Sequence, residues 1–159
     1  LTPDKAEALG IVGVGGRASG MNLDVRRDHP YAAYRDLPIQ VPVYREGDVL
    51  RRMQVRMDEV CESVRIIRAA AEQLPDGPYR ATVGAIPPGR RALSAVEGWR
   101  GEILYWVRTG DGSRLDRCKV KDPSLNNWPA LVEAVQGNIV PDFPAINKSF
   151  NLSYSGTDR

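Results

Sequence analysis

The clearest pattern of apolar and polar positions along the chain lies between Asp48 and Leu74. Apolar residues recur there at alternating spacings of three and four, which places them in one stripe along a helix. Asp48 is a suitable N-cap, and Pro75-Asp76-Gly77 ends the pattern. The segment 48–74 therefore predicts a long helix that packs in a bundle through this apolar stripe. The apolar stripe consists of Leu50, Met53, Met57, Val60, Val64, Ile67, Ala71 and Leu74.

Beyond residue 77 the pattern changes to the alternation that is typical of strands. EILYWVRT (102–109) and RLDRCKVK (114–121) flank Gly110-Asp111-Gly112, which predicts a small antiparallel hairpin over about 102–121. YRATVGAI (79–86) also alternates and is a candidate strand. Helices are predicted at 129–137 and in the segment after Pro141-Asp142. The expected fold is α+β and mainly helical, with a long bundle helix, a hairpin and terminal helices.

The first 47 residues carry weaker signals. Residues 2–9 predict a short helix that ends at Gly10, whereas IVGVGGRASG (11–20) is too rich in glycine for a helix. Prolines in 21–47 favour an extended, irregular segment, with a candidate short strand at QVPVY. The run from Gly13 to Ala18 matches G-x-G-x-x-G/A, but a helix before it and prolines after it are the wrong context for dinucleotide binding. We interpret it as a sharp turn, in which Arg17 can hold a carboxylate or help to hold the fold together.

Length and composition match one globular domain with its own core: 159 residues, of which 42% are hydrophobic and 26% charged. The net charge of +2, with interspersed signs, gives no argument for nucleic-acid binding. Two distant cysteines and a single histidine, His29, favour neither a disulfide framework nor a histidine metal site. His29 is interpreted as a hydrogen-bonded structural residue. The start has neither a signal-peptide pattern nor an initiator Met, so we expect 1–159 to be a single domain from a longer chain.

Two short polar segments carry the candidate chemistry. Glu97-Gly98-Trp99-Arg100-Gly101-Glu102 places two acids and an arginine between glycines, just before an apolar strand. Charges at a strand entrance need solvent or partners, and composition alone favours an exposed loop. The second segment, DPSLNNW (122–128), is consistent with a strand-to-helix turn capped by Ser124 or Asn126.

Several motifs, in the same order along the chain, resemble one family. They are RASG (17–20), HPYAAY (29–34), GDVLRRMQVRMDEVCESVRII (47–67), QLPDGP (73–78) and VEGWRGEILYWVRTGDGSRLDRCKVKDPSLNNWPAL (96–131). The chain resembles the C-terminal part of the large subunit of membrane-bound nickel–iron hydrogenases and, equally, the 49 kDa subunit of respiratory complex I (NADH–quinone oxidoreductase). The resemblance covers essentially the whole chain. The ending GNIVPDFPAINKSFNLSYSGTDR is most similar to the group 4, formate-hydrogenlyase type.

The resemblance implies roles for individual residues. Arg100 falls on the arginine above the nickel–iron centre of true hydrogenases, and Ser124 falls on the Ser/Thr beside the iron's diatomic ligands. Those enzymes end in D-P-C-x-x-C-x-x-H/R, and this chain has Ser153 and Gly156 at the two cysteine positions. A glycine and a neutral hydroxyl are poor ligands for a soft metal. We therefore expect vestigial metal-ligand positions and no nickel–iron cluster bound in the usual way.

The resemblance further implies quinone-linked electron transfer or redox coupling in a membrane-associated complex. The candidate catalytic residues are Arg100, Glu97 and Glu102, and the candidate cavity-lining residues are Ser124, His29, Arg17 and Asp142. No cofactor is expected in this chain itself, whereas the family context implies quinone, and iron–sulfur clusters on a partner subunit.

The implied partners are an iron–sulfur subunit, membrane-arm subunits and the missing N-terminal part of the same subunit. The implied location is the cytoplasmic side of the inner membrane, where the chain is held peripherally through its complex. The isolated piece is expected to be inactive. The alternative is a non-catalytic, hydrogenase-like scaffold that serves assembly.

Overall fold

The computed structural model describes residues 1–157, which form six α-helices and one three-stranded antiparallel sheet. The α+β class and the hairpin at about 102–121 are confirmed. The helices are α1 (Pro3–Ala8), α2 (Gly13–Ala18), α3 (Val25–Asp28), α4 (Val49–Glu72), α5 (Pro123–Ala134) and α6 (Phe143–Phe150). The strands are β1 (Arg91–Gly98), β2 (Gly101–Thr109) and β3 (Leu115–Lys121), in the order β1-β2-β3.

The sheet contains a strand that the sequence pattern did not predict, and it lacks the one predicted at 79–86. That segment is irregular, and Tyr79 and Val83 in it are exposed. β1 instead uses residues 91–98, because these lie directly opposite β2 in an antiparallel register that ends with Gly98 facing Gly101. The connection between the two strands is therefore only Trp99-Arg100.

The long helix α4 is confirmed, together with its cap: Asp48 Oδ1 accepts a hydrogen bond of 2.8 Å from the backbone N–H of Arg51. The packing expected of its apolar stripe is not formed within residues 1–157. The large residues of the stripe are exposed, from Val64 at 44% to Leu74 at 78%. The opposite side of α4 packs on the rest of the chain. The buried residues on that side are Arg52, Val55, Glu62 and Ile66.

The prediction that 11–20 is non-helical is wrong, since α2 forms there and all six of its residues are buried. Its glycines allow neighbouring backbone to approach closely. A Cβ added at Gly13 would lie 2.2 Å from the carbonyl oxygen of Arg100, and one at Gly16 would lie 2.7 Å from that of Ile11. The intrinsic cost of glycine in a helix is offset by this packing against α1, α4, α5 and β2.

Residues 21–47 are largely irregular, as expected, apart from α3 and a turn of 3₁₀ helix at Ala32–Arg35. The candidate strand QVPVY is wrong, because 40–44 is irregular and Pro42 removes a ladder donor from its middle. The main apolar core joins α1, α5 and α6, and a smaller cluster joins α2 to α4. The main core consists of Ala6, Ile11, Ala130, Leu131, Ile146, Phe150 and Leu152. These two clusters hold α2 in the centre of the described structure.

Candidate functional site

The β1–β2 turn places the Glu97–Glu102 segment against the N-terminal end of α2. Gly101 has a φ of 127°, and a Cβ added there would lie 2.9 Å from the backbone nitrogen of Gly13. The exposed-loop interpretation is therefore wrong for Glu97, whose side chain is 5% exposed. Trp99 at the tip is 62% exposed. Close contact between glycine backbones thus brings the acidic side chain of the turn into the interior.

Asn127 on α5 connects this turn to α2. Its Oδ1 accepts a hydrogen bond of 3.0 Å from the backbone N–H of Val12. Its Nδ2 donates to the carbonyl oxygens of Val12, at 3.2 Å, and Arg100, at 3.1 Å. Asn127 is 2% exposed, and three partly buried backbone groups depend on its carboxamide. The backbone of Arg100 is positioned by this contact.

Arg17 on α2 lies at the centre of a buried cluster of charges, which we call the Arg17 cluster. Its Nη1 donates to Glu97 Oε1 at 2.9 Å, and its Nη2 lies 2.6 Å from Glu59 Oε1. Asp24 Oδ2 lies 3.7 Å from Arg17 Nη1 and 2.6 Å from Arg26 Nη2. Burial raises the pKa of both Glu59 and Glu97 above the usual carboxyl range, although the charge of Arg17 acts in the opposite direction. The expectation that Arg17 holds a carboxylate is confirmed.

A cavity of about 310 Å³ opens beside the Arg17 cluster. It lies between α4 and the β1–β2 turn, with Trp99 and Val60 supplying apolar wall. Charged side chains of both signs reach it, which is the mixture of apolar and convergent polar groups typical of a ligand site. The charged lining residues are Arg17, Arg26, Arg56, Glu59 and Glu97.

Three more arginines converge on the C-terminal end of α6. Arg100 Nε donates to the carbonyl oxygen of Asn151, and Arg56 Nη2 donates to that of Ser149. Arg52 Nε donates to Ser149 Oγ at 2.8 Å, and burial lowers the pKa of Arg52 to about 10. Guanidinium groups are favourable here because the last carbonyls of a helix carry partial negative charge. Arg100 thereby joins the β1–β2 turn to the segment that contains the vestigial positions.

Ser153 and Gly156, the predicted vestigial metal-ligand positions, pack against the N-terminal end of α5. Ser124 Oγ accepts a hydrogen bond of 3.0 Å from the backbone N–H of Ser153, and Ser153 Oγ accepts one of 3.0 Å from that of Gly156. A Cβ added at Gly156 would lie 2.6 Å from Asp122 Oδ2. Asp122 is also the N-cap of α5, so the predicted cap at Ser124 or Asn126 is wrong. Ser124 is fully buried, and its hydroxyl accepts the hydrogen bond from the Ser153 backbone instead of capping the helix.

The donor set at these positions does not fit a nickel–iron centre. Ser153 offers a neutral hydroxyl that already accepts a backbone hydrogen bond, and Gly156 has no side chain. Both cysteines, Cys61 and Cys118, are exposed outside this segment. Soft metals favour thiolate, which residues 149–157 do not provide. Asp158 and Arg159, which complete the Thr-Asp-Arg ending, lie outside the described residues.

The remaining predicted residues divide into two groups. His29 and Glu102 line a second, smaller cavity of about 120 Å³ together with Glu97. His29 is exposed and makes no side-chain hydrogen bond to residues 1–157, so its interpretation as a hydrogen-bonded structural residue is wrong. Asp142 is exposed just before α6, about 12 Å along the helix axis from the end that Arg100 contacts. The described structure therefore separates Asp142 from the other candidates.

Four residues of the site were missed in the sequence: Asp24, Arg26, Glu59 and Asn127. Glu59 lies off the apolar stripe of α4, which is the pattern that the sequence analysis used. The available signal was the spacing along the helix. Val55, Glu59, Glu62 and Ile66 are separated by four, three and four positions, so Glu59 shares one side of the helix with three residues that are buried. The pattern of apolar residues drew attention to the opposite face.

Comparison with known proteins identifies the class. A solved structure described as the membrane-bound sulfane sulfur reductase, an archaeal respiratory membrane complex, matches with a TM-score of 0.87 and 30% identity. The match covers 100% of this chain and 45% of the other. The fold is therefore that of a subunit found in respiratory membrane complexes.

Comparison of the sequence with profiles of protein families identifies the family within this class. The profile of the family described as "Respiratory-chain NADH dehydrogenase, 49 Kd subunit" matches residues 1–88 and 81–159. The chain therefore belongs to this 49 kDa subunit family, and the resemblance inferred from its motifs is confirmed.

Curated relatives include both types of protein that the motifs resemble, the hydrogenase large subunit and the 49 kDa subunit of complex I. Formate hydrogenlyase subunit 5 of Escherichia coli is 37% identical over 159 residues, which are 100% of this chain and 28% of that protein. NADH-quinone oxidoreductase subunit 4 of Thermus thermophilus is 35% identical over 186 aligned positions, covering 100% of this chain and 46% of that protein. The chain thus spans less than half the length of these relatives. Within residues 1–157, the helices are too short or too polar to cross a membrane.

Proposed function

We propose that this chain is the large-subunit component of a membrane-associated redox complex and that its site serves quinone-linked electron transfer or redox coupling without a nickel–iron centre. The observation that carries the proposal is that Arg100 binds the Asn151 carbonyl, two residues before Ser153, in the same chain end that packs against Ser124. The arrangement keeps the arginine that accompanies metal chemistry in the family and replaces the thiolates with groups that do not suit a soft metal. The relatives are described as a formate hydrogenlyase subunit, an NADH-quinone oxidoreductase subunit and a sulfane sulfur reductase, which all belong to redox enzymes and support the same class.

Arg100 is suited to stabilise negative charge that develops on a reduced ligand. A guanidinium is always charged and presents its donors in a rigid fork. Its Nε is already held by the Asn151 carbonyl, so the group is oriented before a ligand arrives. Glu97, Glu102, His29 and Arg17 line the two neighbouring cavities, in which a quinone head group would bind. Electrons would come from an iron–sulfur partner subunit, and membrane-arm subunits would hold the complex at the cytoplasmic face of the membrane.

The experiment that tests this proposal is Arg100→Ala in the full complex, with Arg114→Ala as the matched control. Arg114 is an exposed arginine in the turn before β3. We expect R100A to lower quinone-dependent turnover about 100-fold while the complex still assembles, and R114A to leave both unchanged. Elemental analysis of the purified complex should show nickel well below one atom per subunit, and stoichiometric nickel bound to this subunit would contradict the proposal.

A second candidate function is a non-catalytic scaffold. The exposed apolar stripe of α4 favours it, because seven large apolar side chains on one helix face form a packing surface. If R100A abolishes assembly and has no separate effect on turnover, the scaffold function is supported instead.

A further inference from the structure

The Arg17 cluster contains more carboxylates than paired guanidinium groups. Arg17 and Arg26 face Asp24, Glu59 and Glu97, and the five side chains range from 1% to 18% exposed. With every group ionised, two positive and three negative charges leave one unit of negative charge in a buried position. An uncompensated buried charge is costly, and a carboxyl group in that situation takes up a proton instead.

Of the three acids, Glu59 has the fewest contacts that stabilise its ionised form. Glu97 accepts hydrogen bonds on both oxygens, from Arg17 at 2.9 Å and from the Val25 backbone at 3.1 Å. Asp24 accepts from the Arg26 guanidinium at 2.6 and 2.9 Å and from its backbone N–H at 3.0 Å. Glu59 has a single charged contact, Arg17, and its buried Oε1 accepts no hydrogen bond of good geometry from residues 1–157. The proton therefore belongs on Glu59, which lies at the cavity wall.

Arg56 is the other charged group near Glu59. It lies one turn earlier on α4 and lines the same cavity, with its guanidinium 5.9 Å from the centre of the Trp99 ring. Its Nη2 is engaged by the carbonyl oxygen of Ser149, and within residues 1–157 no carboxylate lies within 4.0 Å of it. Its charge opposes protonation of Glu59 only at longer range than the Arg17 contact.

Arg17, which lines the cavity, also has a buried donor without a partner in the part of the chain that the structure describes. Arg17 is 1% exposed, and its Nε has no hydrogen-bond partner among residues 1–157. A buried guanidinium nitrogen without a partner is rare in native structures and points to water or a ligand. Arg17 and Glu59 therefore line the same cavity, and within the described residues the hydrogen bonds of Arg17 are not saturated.

We propose that Glu59 stores a proton in the resting protein, beside Glu97 and Arg17, and donates it to a molecule bound in the 310 Å³ cavity. Storage of the proton is independent of the proposed function, whereas its delivery to a reduced quinone rests on it. Conversion of quinone to quinol takes two electrons, here from an iron–sulfur protein, and two protons. Glu59 transfers one proton from its O–H to a quinone oxygen and becomes a carboxylate paired with Arg17. The second proton, and the proton that later restores Glu59, are taken up from the bulk solvent, so each turnover consumes two protons from the medium.

The test is pH-difference infrared spectroscopy on the purified full complex, with Glu59→Gln, Glu97→Gln and Glu72→Gln. Glu72 is an exposed glutamate at the end of the same helix and serves as the matched control. The unmodified complex should show a protonated-carboxyl C=O band near neutral pH, which shifts in D₂O. E59Q should lose this band, and E72Q should keep it. E97Q should move its midpoint to lower pH, because the negative charge that favours protonation of Glu59 is gone.

Two results would overturn the proposal: absence of the band in the unmodified complex at neutral pH, or its persistence in E59Q. The first needs no variant, so poor assembly of E59Q does not remove the test. E59Q should also slow quinone reduction at least about tenfold. Retention of the band in a complex that shows no quinone turnover would defeat the proposed function and leave the proton site standing. Normal quinone turnover in a complex without the band would defeat the proton site and leave the proposed function standing.

Discussion

At the scale of single residues, the site depends on polar side chains that hold backbone segments together. Asn127 does this for α2 and the β1–β2 turn, and Ser124 does it for the chain end. Neither role is visible in the sequence, where Ser124 is a candidate helix cap and Asn127 carries no signal of its own. Their partners are 27 to 115 residues away, so only the folded chain defines them.

Asn127→Ala should lower the free energy of unfolding by about 2–4 kcal/mol, since it leaves buried groups of Val12 and Arg100 without partners. Asn126→Ala is the control, because Asn126 makes one exposed hydrogen bond, to Gly10, and should cost about 1 kcal/mol or less. Urea denaturation of the purified protein measures both. Equal effects from the two variants would show that the Asn127 carboxamide is not the connection described above.

At the scale of elements, the sequence correctly predicted the long helix, whose start, period and end are all marked by residues within or next to it. α4 was predicted with its cap and its end, because period and capping are local properties. α2 was missed because its glycines oppose a helix locally and are favourable only through contacts with distant backbone. The strand β1 was missed because pairing with β2 selects 91–98 over the more regular alternation at 79–86.

Gly13→Ala should separate α2 from the β1–β2 turn. Gly13 has a φ of 62° and a Cβ there would lie 2.2 Å from the Arg100 carbonyl, whereas Gly112 has a φ of 64° and open space around it. Both substitutions place alanine in the left-handed region, so the difference between them isolates the steric contact. We expect G13A to be less stable than G112A by about 3 kcal/mol in chemical denaturation. Similar stabilities would mean that the backbone contact is not required.

At the scale of the whole molecule, the buried charges make stability depend on pH. The pKa values of Glu59 and Glu97 are raised by burial, so the folded state keeps protons that the unfolded state has lost. Their contribution to stability is therefore complete below the unfolded pKa of about 4.3 and is lost as pH rises through the folded values. Glu62 acts in the opposite sense, because its hydrogen bond with Arg65 lowers its pKa and stabilises the fold above that range.

The free energy of unfolding should accordingly fall as pH rises above the unfolded carboxyl pKa of about 4.3, and Glu59→Gln should make this decline shallower. Gln cannot release a proton, so the variant resembles the protonated residue at every pH. Urea denaturation at a series of pH values measures the slope, with Glu72→Gln as the control that should match the unmodified protein. The same slope for E59Q and the unmodified protein would show that Glu59 does not titrate in this range.

The sequence by itself determined the α+β class, the long helix, the hairpin and the family. Periodicity and turn residues depend only on neighbouring positions, and the motifs of a family are recognised by their order along the chain. The tertiary structure alone decided which face of α4 packs inward: the charged side joins the core of residues 1–157, and the apolar stripe stays exposed. It also decided that Arg17, Glu59 and Glu97 meet. Their ionic contacts span α2, α4 and β1, and the energy of a buried charge depends on neighbours that only folding assembles.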